Sequence, residues 1–140
     1  MPETFVIDCS VAAKWVLPEP GRPSALRLLD RHLAGEISLI APDLLLVELA
    51  SLLSKRHRRK QISAAQAREA FQLVREFAPE LIETDRRLVR ALDLSLRHQM
   101  SLWDCVYLAL AIERDCPFLT SDQRLFRAGT GRHPAIQLFE

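Results

Sequence analysis

The chain reads as an α/β protein: a single-domain, three-layer α/β/α fold built on a short parallel central sheet. Three observations predict it. Short apolar runs of strand length alternate with helical stretches along the chain. The runs Phe5-Val6-Ile7, Ile37-Ser38-Leu39-Ile40 and Phe118-Leu119 are bounded by charges or turn residues, the pattern of strands covered by helices. The chain of 140 residues, 49% apolar and 26% charged, is of one-domain size, so residues 1–140 form one unit that buries about two-thirds of its unfolded surface.

Taken in order, Thr4 to Asp8 is a buried strand, and Ser10 serves as N-cap of a short helix ending near Pro18. Gly21-Arg22-Pro23 opens a second helix, with Leu26, Leu29 and Leu33 at helical spacing and Gly35 at its end. Ile37 to Ile40 is the next strand. Pro42-Asp43 begins a third helix, apolar almost all round as far as Leu53 and basic from Lys55 to Lys60. Ser63-Ala64-Ala65-Gln66 has the form of a capping box and starts a fourth helix through Phe77. Leu81 to Thr84 is strand-like, and Asp85 caps a helix reaching His98. Ser101 to Asp104 resembles a second capping box, before a strongly apolar helix. Phe118 to Thr120 is a strand, Asp122 to Ala128 a short helix, and Ile136 to Phe139 a last strand.

Several classes are excluded. Met1 to Thr4 lacks the basic and apolar regions of a secretory signal, and the stretch Leu102 to Ile112 is too short for a membrane span and contains Asp104. Cys9, Cys105 and Cys116 form no C-x-x-C pair and are odd in number. A reduced, cytoplasmic protein is the expectation.

Four carboxylates stand where carboxylates are usually avoided. Asp8 ends the first apolar strand, Glu48 is the only charge between Leu44 and Leu53, Asp104 lies near the start of the most apolar helix, and Asp122 follows Phe118 to Ser121. A buried carboxylate without a partner costs several kcal/mol or is driven to protonate, and a shared divalent cation relieves all four together. In parallel sheets, sites form beyond the carboxyl ends of strands, and Asp8 and Asp122 both follow strands. Asp104 also reads as a dipole-stabilising acid in a first helical turn, and Asp122 as a helix cap. Oxygen ligands without a His or Cys partner favour Mg²⁺ or Mn²⁺ over zinc. His32, His57, His98 and His133 all lie outside these motifs.

The formal net charge of +1 hides an uneven distribution: residues 55–90 carry ten Lys/Arg against five Asp/Glu. A basic arm beside an acidic centre suits an enzyme acting on a polyanion through bound cations. Lys55, Arg56, Arg58, Arg59 and Lys60, together with Lys14 and Arg124, are the candidate phosphate contacts; the run at 55–60 reads equally as a solvated helix end. Trp15 and Trp103 read as core or interface aromatics rather than base-stacking platforms.

The stretches FVIDCSVAAKWVLPE, APDLLLVELASLL, SLWDCVYLALA and PFLTSDQRLF occur in the order and spacing of a known family. The chain resembles the PIN domain, and more narrowly the small VapC-like ribonuclease toxins of type II VapBC toxin–antitoxin systems. The resemblance implies that Asp8, Glu48, Asp104 and Asp122 are the catalytic, metal-binding acids, with Ser10 and Thr120 as the hydroxyls behind them. It further implies Mg²⁺ (or Mn²⁺) as cofactor, hydrolysis of RNA to a 5′-phosphate and a 3′-hydroxyl, a homodimer, and a cognate VapB-like antitoxin. The helices at Ser24–Leu33 and Leu44–Leu53 offer apolar surface for an antitoxin helix. Two departures are visible: Cys9 and Cys105 stand beside acids where a small or apolar residue is usual, and the final motif carries one acid, Asp122.

Three other readings follow from the same residues. An aspartyl-nucleophile phosphatase needs a second Asp two residues after the first, and that position is Ser10. A small RNA-processing PIN nuclease without an antitoxin has the same acids. A non-catalytic module that binds RNA or a partner is disfavoured by the intact quartet.

Overall fold

The structure is a computed structural model, and it describes residues 2–77, 79–129 and 133–140. Five strands, β1 (Glu3–Ile7), β2 (Ile37–Pro42), β3 (Glu80–Ile82), β4 (Phe118–Thr120) and β5 (Ile136–Leu138), form one sheet in the order β3-β2-β1-β4-β5. Every pairing is parallel. β1 lies at the centre, in register with β2 through Phe5↔Leu39 and Val6↔Ile40 and with β4 through Val6↔Phe118 and Ile7↔Leu119. The chain steps outward from β1 to β2 and β3, then returns to the other side of β1 for β4 and β5. Right-handed crossovers therefore place the helices of the two halves on opposite faces.

Helices α1 (Cys9–Val16), α2 (Arg22–Leu33), α3 (Leu44–Arg58) and α4 (Ala64–Phe77) pack with one another on one side. On the other side α6 (Leu102–Arg114) lies against β1, β2 and β4, with α5 (Leu88–His98) packed on it. The short α7 (Gln123–Gly129) leads from β4 toward β5. Cys105 to Ala111 are all buried, which explains why α6 is apolar all round: it is enclosed between the sheet and α5. A Cβ on Gly129 would meet the Ile136 side chain at 2.6 Å, so the glycine lets α7 close onto β5.

Local chemistry sets the helix starts that aim the site. The Thr84 hydroxyl, just beyond β3, accepts from Leu44 N at 3.2 Å and donates to Asp43 Oδ1 at 2.6 Å, fixing the entry of α3. Ser63 and Gln66 form the expected reciprocal cap of α4, at 3.0 and 2.8 Å. Ser101 Oγ caps α6 by accepting from Asp104 N at 3.2 Å.

Several local expectations change. Asp8, and not Ser10, is the N-cap of α1: its backbone is extended at the strand end, so its carboxylate reaches the amides of Ser10 and Val11. Leu33 is 56% exposed, because Ala25 and Leu28 supply the buried face of α2. Asp85 opens a 3-10 turn ahead of α5 and makes no capping bond there. α3 is less uniformly buried than its sequence: Leu45, Leu49 and Leu53 face the core while Val47 points outward. No described helix is long and apolar enough to cross a membrane.

Candidate active site

The strand order reverses between β1 and β4, and the crevice at their carboxyl ends is where an open parallel sheet places its site. Asp8 leaves β1 there and Asp122 follows β4, two residues beyond Thr120. α3 and α6 begin on the same edge and deliver Glu48 and Asp104.

Asp8 is the most enclosed of the four acids, 8% exposed. Its Oδ1 accepts from Ser10 N at 3.0 Å and from Ser10 Oγ at 2.5 Å, and its Oδ2 accepts from Thr120 Oγ1 at 2.6 Å. Both hydroxyls are held in turn by the β4 loop. Ser121 N donates to Ser10 Oγ at 2.8 Å, and Asp122 N donates to Thr120 Oγ1 at 3.1 Å. Ser10 and Thr120 therefore act as the two struts between Asp8 and the segment carrying Asp122. Burial raises the Asp8 carboxyl to about 6, against the pull of those hydrogen bonds; the charge on Glu48 adds to the rise.

Glu48 accepts a hydrogen bond from the Tyr107 hydroxyl at 2.5 Å. Tyr107 is buried in α6 and its ring stacks on Phe118 of β4, with centroids 5.6 Å apart. Burial pushes the Glu48 carboxyl up, the Tyr107 bond lowers it, and the Asp104 charge raises it. Asp104 is raised chiefly by burial, lowered by its hydrogen bond with Ser101, raised again by Asp122 and lowered by Arg124. Asp122 is exposed, and its Oδ1 accepts from Arg124 N at 2.9 Å and Leu125 N at 3.2 Å, capping α7.

The four acids thus form a continuous electrostatic chain, Asp8 to Glu48 to Asp104 to Asp122. Among the described residues, no three His, Cys, Asp or Glu side chains are already gathered as a closed metal cage. The donor set fits Mg²⁺ or Mn²⁺, because Mg²⁺ keeps several waters and takes one or two carboxylates together with substrate phosphates. A row of mutually repelling carboxylates, Asp8 buried and Glu48 and Asp104 half-buried, is also the environment that a divalent cation relieves. The Cys9 thiol, pushed up by burial and then by Glu48, Asp8 and Glu19, stays neutral and is no ligand for a hard cation.

A cavity of about 340 Å³ opens beside Asp8, walled by Ser10, Lys14, Glu19, Glu48, Leu52 and Ser121. Lys14 lines it while donating to the Pro20 carbonyl at 2.5 Å. Arg124 reaches the acids through its field on Asp104. The basic run divides: Arg56 is paired with Glu19, whereas Lys55, Arg58, Arg59 and Lys60 are exposed. At 1.5 Å rise per residue, Arg58 stands about 15 Å along α3 from Glu48. The structure also separates the tryptophans. Trp15 is core, 5% exposed, its indole N–H donating to the Ala25 carbonyl at 2.9 Å, while Trp103 is 58% exposed.

Tyr107, Ser121 and Glu19 belong to the site and were not singled out from the sequence. Tyr107 left a signal: it is the chain's one tyrosine, three residues after Asp104 in an apolar helix. A buried phenol requires a partner. Ser121 and Glu19 left none, since their roles arise from contacts across the fold.

A PIN domain family model matches residues 5–130. Ribonuclease VapC1 of Mycobacterium tuberculosis, in strains CDC 1551 and H37Rv, is 31% identical over 121 residues, spanning 86% of this chain and 90% of that protein. The crystal structure of PAE2754 from Pyrobaculum aerophilum superposes with a TM-score of 0.71 at 16% identity, covering 94% of this chain and 90% of that one, and so shares the fold. The three-layer architecture, the site at the β1/β4 switch and these matches converge: the chain belongs to the PIN-domain family, in its VapC-like branch.

Proposed function

We propose that this protein is a Mg²⁺- or Mn²⁺-dependent endoribonuclease, the toxin of a type II toxin–antitoxin pair, with residues 1–140 acting as one PIN domain. The observation that carries the proposal is the row of acids Asp8, Glu48, Asp104 and Asp122 at the carboxyl edge of β1 and β4. Burial and mutual repulsion raise the first three, and Arg124 and Lys14 are cations beside them. The similarity to ribonuclease VapC1 supports RNA as the substrate.

Asp8, Glu48, Asp104 and Asp122 would hold the metal. When bound, the cation would activate water and stabilise charge on the phosphate oxygens. The chain's own residues supply the order around it. Ser10 and Thr120 lock both oxygens of Asp8, so that carboxylate cannot swing away. Tyr107 fixes one oxygen of Glu48 and leaves the other free to bind the cation or orient water. Lys14 and Arg124 flank the acids, and Lys55, Arg58, Arg59 and Lys60 extend the positive surface along α3 for more distant phosphates.

The partner readings rest on apolar surface. Val89, Leu92 and Leu96 form an exposed stripe on α5, a surface suited to a second copy in a homodimer. The cleft between α3 and α4, lined by Leu53, Ala67 and Phe71, offers an apolar seat for a VapB-like antitoxin segment. On this reading the protein would work in the cytoplasm, where its RNA would be.

The test is a cleavage assay on single-stranded RNA with Mg²⁺, Mn²⁺ or a chelator, using wild-type protein, Asp8→Asn and Asp104→Asn. Cleavage that needs the metal and is lost in both variants supports the proposal; equal cleavage by folded variants, or in chelator, refutes it.

A further inference from the structure

Glu48 and Leu52 are walls of two clefts at once. One is the cavity beside Asp8. The other, about 410 Å³ and on the opposite flank of α3, is bounded by Leu44, Val47, Lys55 and Trp103. Trp103 directly precedes Asp104, so its ring stands beside one acid while facing the helix that carries another. It is 58% exposed and Val47 is 66% exposed, although Cys105 to Ala111 immediately after are all buried. A tryptophan left in water at the lip of an acidic site calls for an occupant.

We infer that this cleft seats one unpaired nucleobase of the RNA strand, with Trp103 as its stacking platform. The inference rests on the ribonuclease reading and deepens it by naming how the substrate is gripped. A strand crossing the ridge of Glu48 and Leu52 would leave a phosphate on the side of Asp8 and turn the adjoining base to the side of Trp103. The chemistry of the cleft matches that division. Trp103 and Val47 offer an aromatic face and an aliphatic edge for the flat base, and Lys55, which makes no ion pair among the described residues, points a cation at the backbone. The volume falls within the ~300–1,000 Å³ typical of small-molecule sites. Bases inside a duplex cannot splay outward, so the arrangement selects single-stranded or looped RNA.

A second copy of the chain is the weaker occupant. Interface centres are depleted of charge, whereas this cleft is lined by both Glu48 and Lys55. A protein seated there would also close one flank of the site.

The experiment follows tryptophan fluorescence while a short single-stranded RNA is titrated into wild-type protein in chelator, so that binding is read without cleavage. Trp15 is buried and gives a constant background. Stacking predicts quenching in the wild type that is absent in Trp103→Ala; with affinity read from the anisotropy of a dye-labelled RNA, binding should be about tenfold weaker in Trp103→Ala, with most of that loss restored by Trp103→Phe. The alanine variant should also cut a set of RNA sites in altered proportions. If the wild type binds and cuts RNA while Trp103→Ala matches it in affinity and site choice, the stacking role is overturned and the ribonuclease reading stands. A wild type that neither binds nor cuts RNA overturns both. Emission that follows protein concentration and not RNA, with Trp103→Ala turning a dimer into monomers, would put a second copy on the cleft and also overturn the inference.

Discussion

The phenol of Tyr107 in α6 donates to the carboxylate of Glu48 in α3 at 2.5 Å, linking helices from opposite faces of the sheet at the edge that carries the acids. Tyr107→Phe keeps the ring stacked on Phe118 and removes only the donor. The half-buried carboxylate then loses a charge-assisted hydrogen bond, worth about 1.5–3 kcal/mol. The expected result is a folded protein with a lower urea midpoint and weaker Mn²⁺ binding by calorimetry. Unchanged Mn²⁺ affinity would show that the bond does not position Glu48.

Asp8 gives a pH dependence of definite sign. Its carboxyl is raised from 3.8 to about 6 in the folded protein, so the fold holds this proton more tightly than the unfolded chain does. The associated stability is complete below about pH 4 and is lost as pH rises through 6, a change of about 3 kcal/mol. Asp8→Asn escapes that loss. Metal-free Asp8→Asn should be about 1–3 kcal/mol more stable than wild type at pH 7.5, with the gap closing toward pH 4, as measured by urea unfolding. An unchanged gap across that range contradicts the assignment. Adding Mg²⁺ should raise the melting temperature of the wild type and leave the variant unmoved.

The α3 basic run is predicted to act unevenly. Neutralising Arg58 and Arg59 should weaken RNA binding and flatten its logarithmic salt slope by about 0.7 for each single-strand phosphate that is no longer neutralised. Arg56→Ala instead frees Glu19, a wall of the cavity beside Asp8, and adds an unpaired negative charge near the acids. Its main effect should be on cleavage rate. Identical salt slopes for wild type and the Arg58/Arg59 double variant would make that run a solvated helix end.

The stripe on α5 offers a direct assay of assembly. Val89→Glu with Leu96→Glu places two charges on a surface that is already exposed in the single chain, so the fold should persist. Sedimentation should show a dimer for the wild type and a monomer for the double variant. A wild type that stays monomeric at high concentration removes the homodimer from the proposal.

Much of the architecture was legible because parallel strands must be apolar on both faces, which leaves them as short unmistakable runs between helices. Asp8 and Asp122 stood out by following two such runs, and Glu48 by interrupting an apolar helix. Other features depended on contacts that local sequence does not encode. Ser10 looked like a cap because a serine after a strand usually is one, yet its hydroxyl donates to Asp8 and accepts from Ser121, which is 111 residues away. Leu33 shared the spacing of a buried face, but α2 rolls onto Ala25 and Leu28 instead. Arg56 read as one of five equivalent cations until Glu19 claimed it across the fold. Trp103 sits in the same apolar stretch as its buried successors, and only the geometry of α3 and α6 reveals that it faces solvent.

The central place of β1 carries a consequence in time. Its last residues pair with Phe118 and Leu119, and both struts on Asp8 depend on the segment after them: Thr120 is one, and Ser121 N holds the Ser10 hydroxyl that is the other. A ribosome that has made the first hundred residues has produced Asp8 and Glu48 without the strand that completes their setting. The setting of Asp8 is therefore completed only late in synthesis, when β4 slots in beside β1.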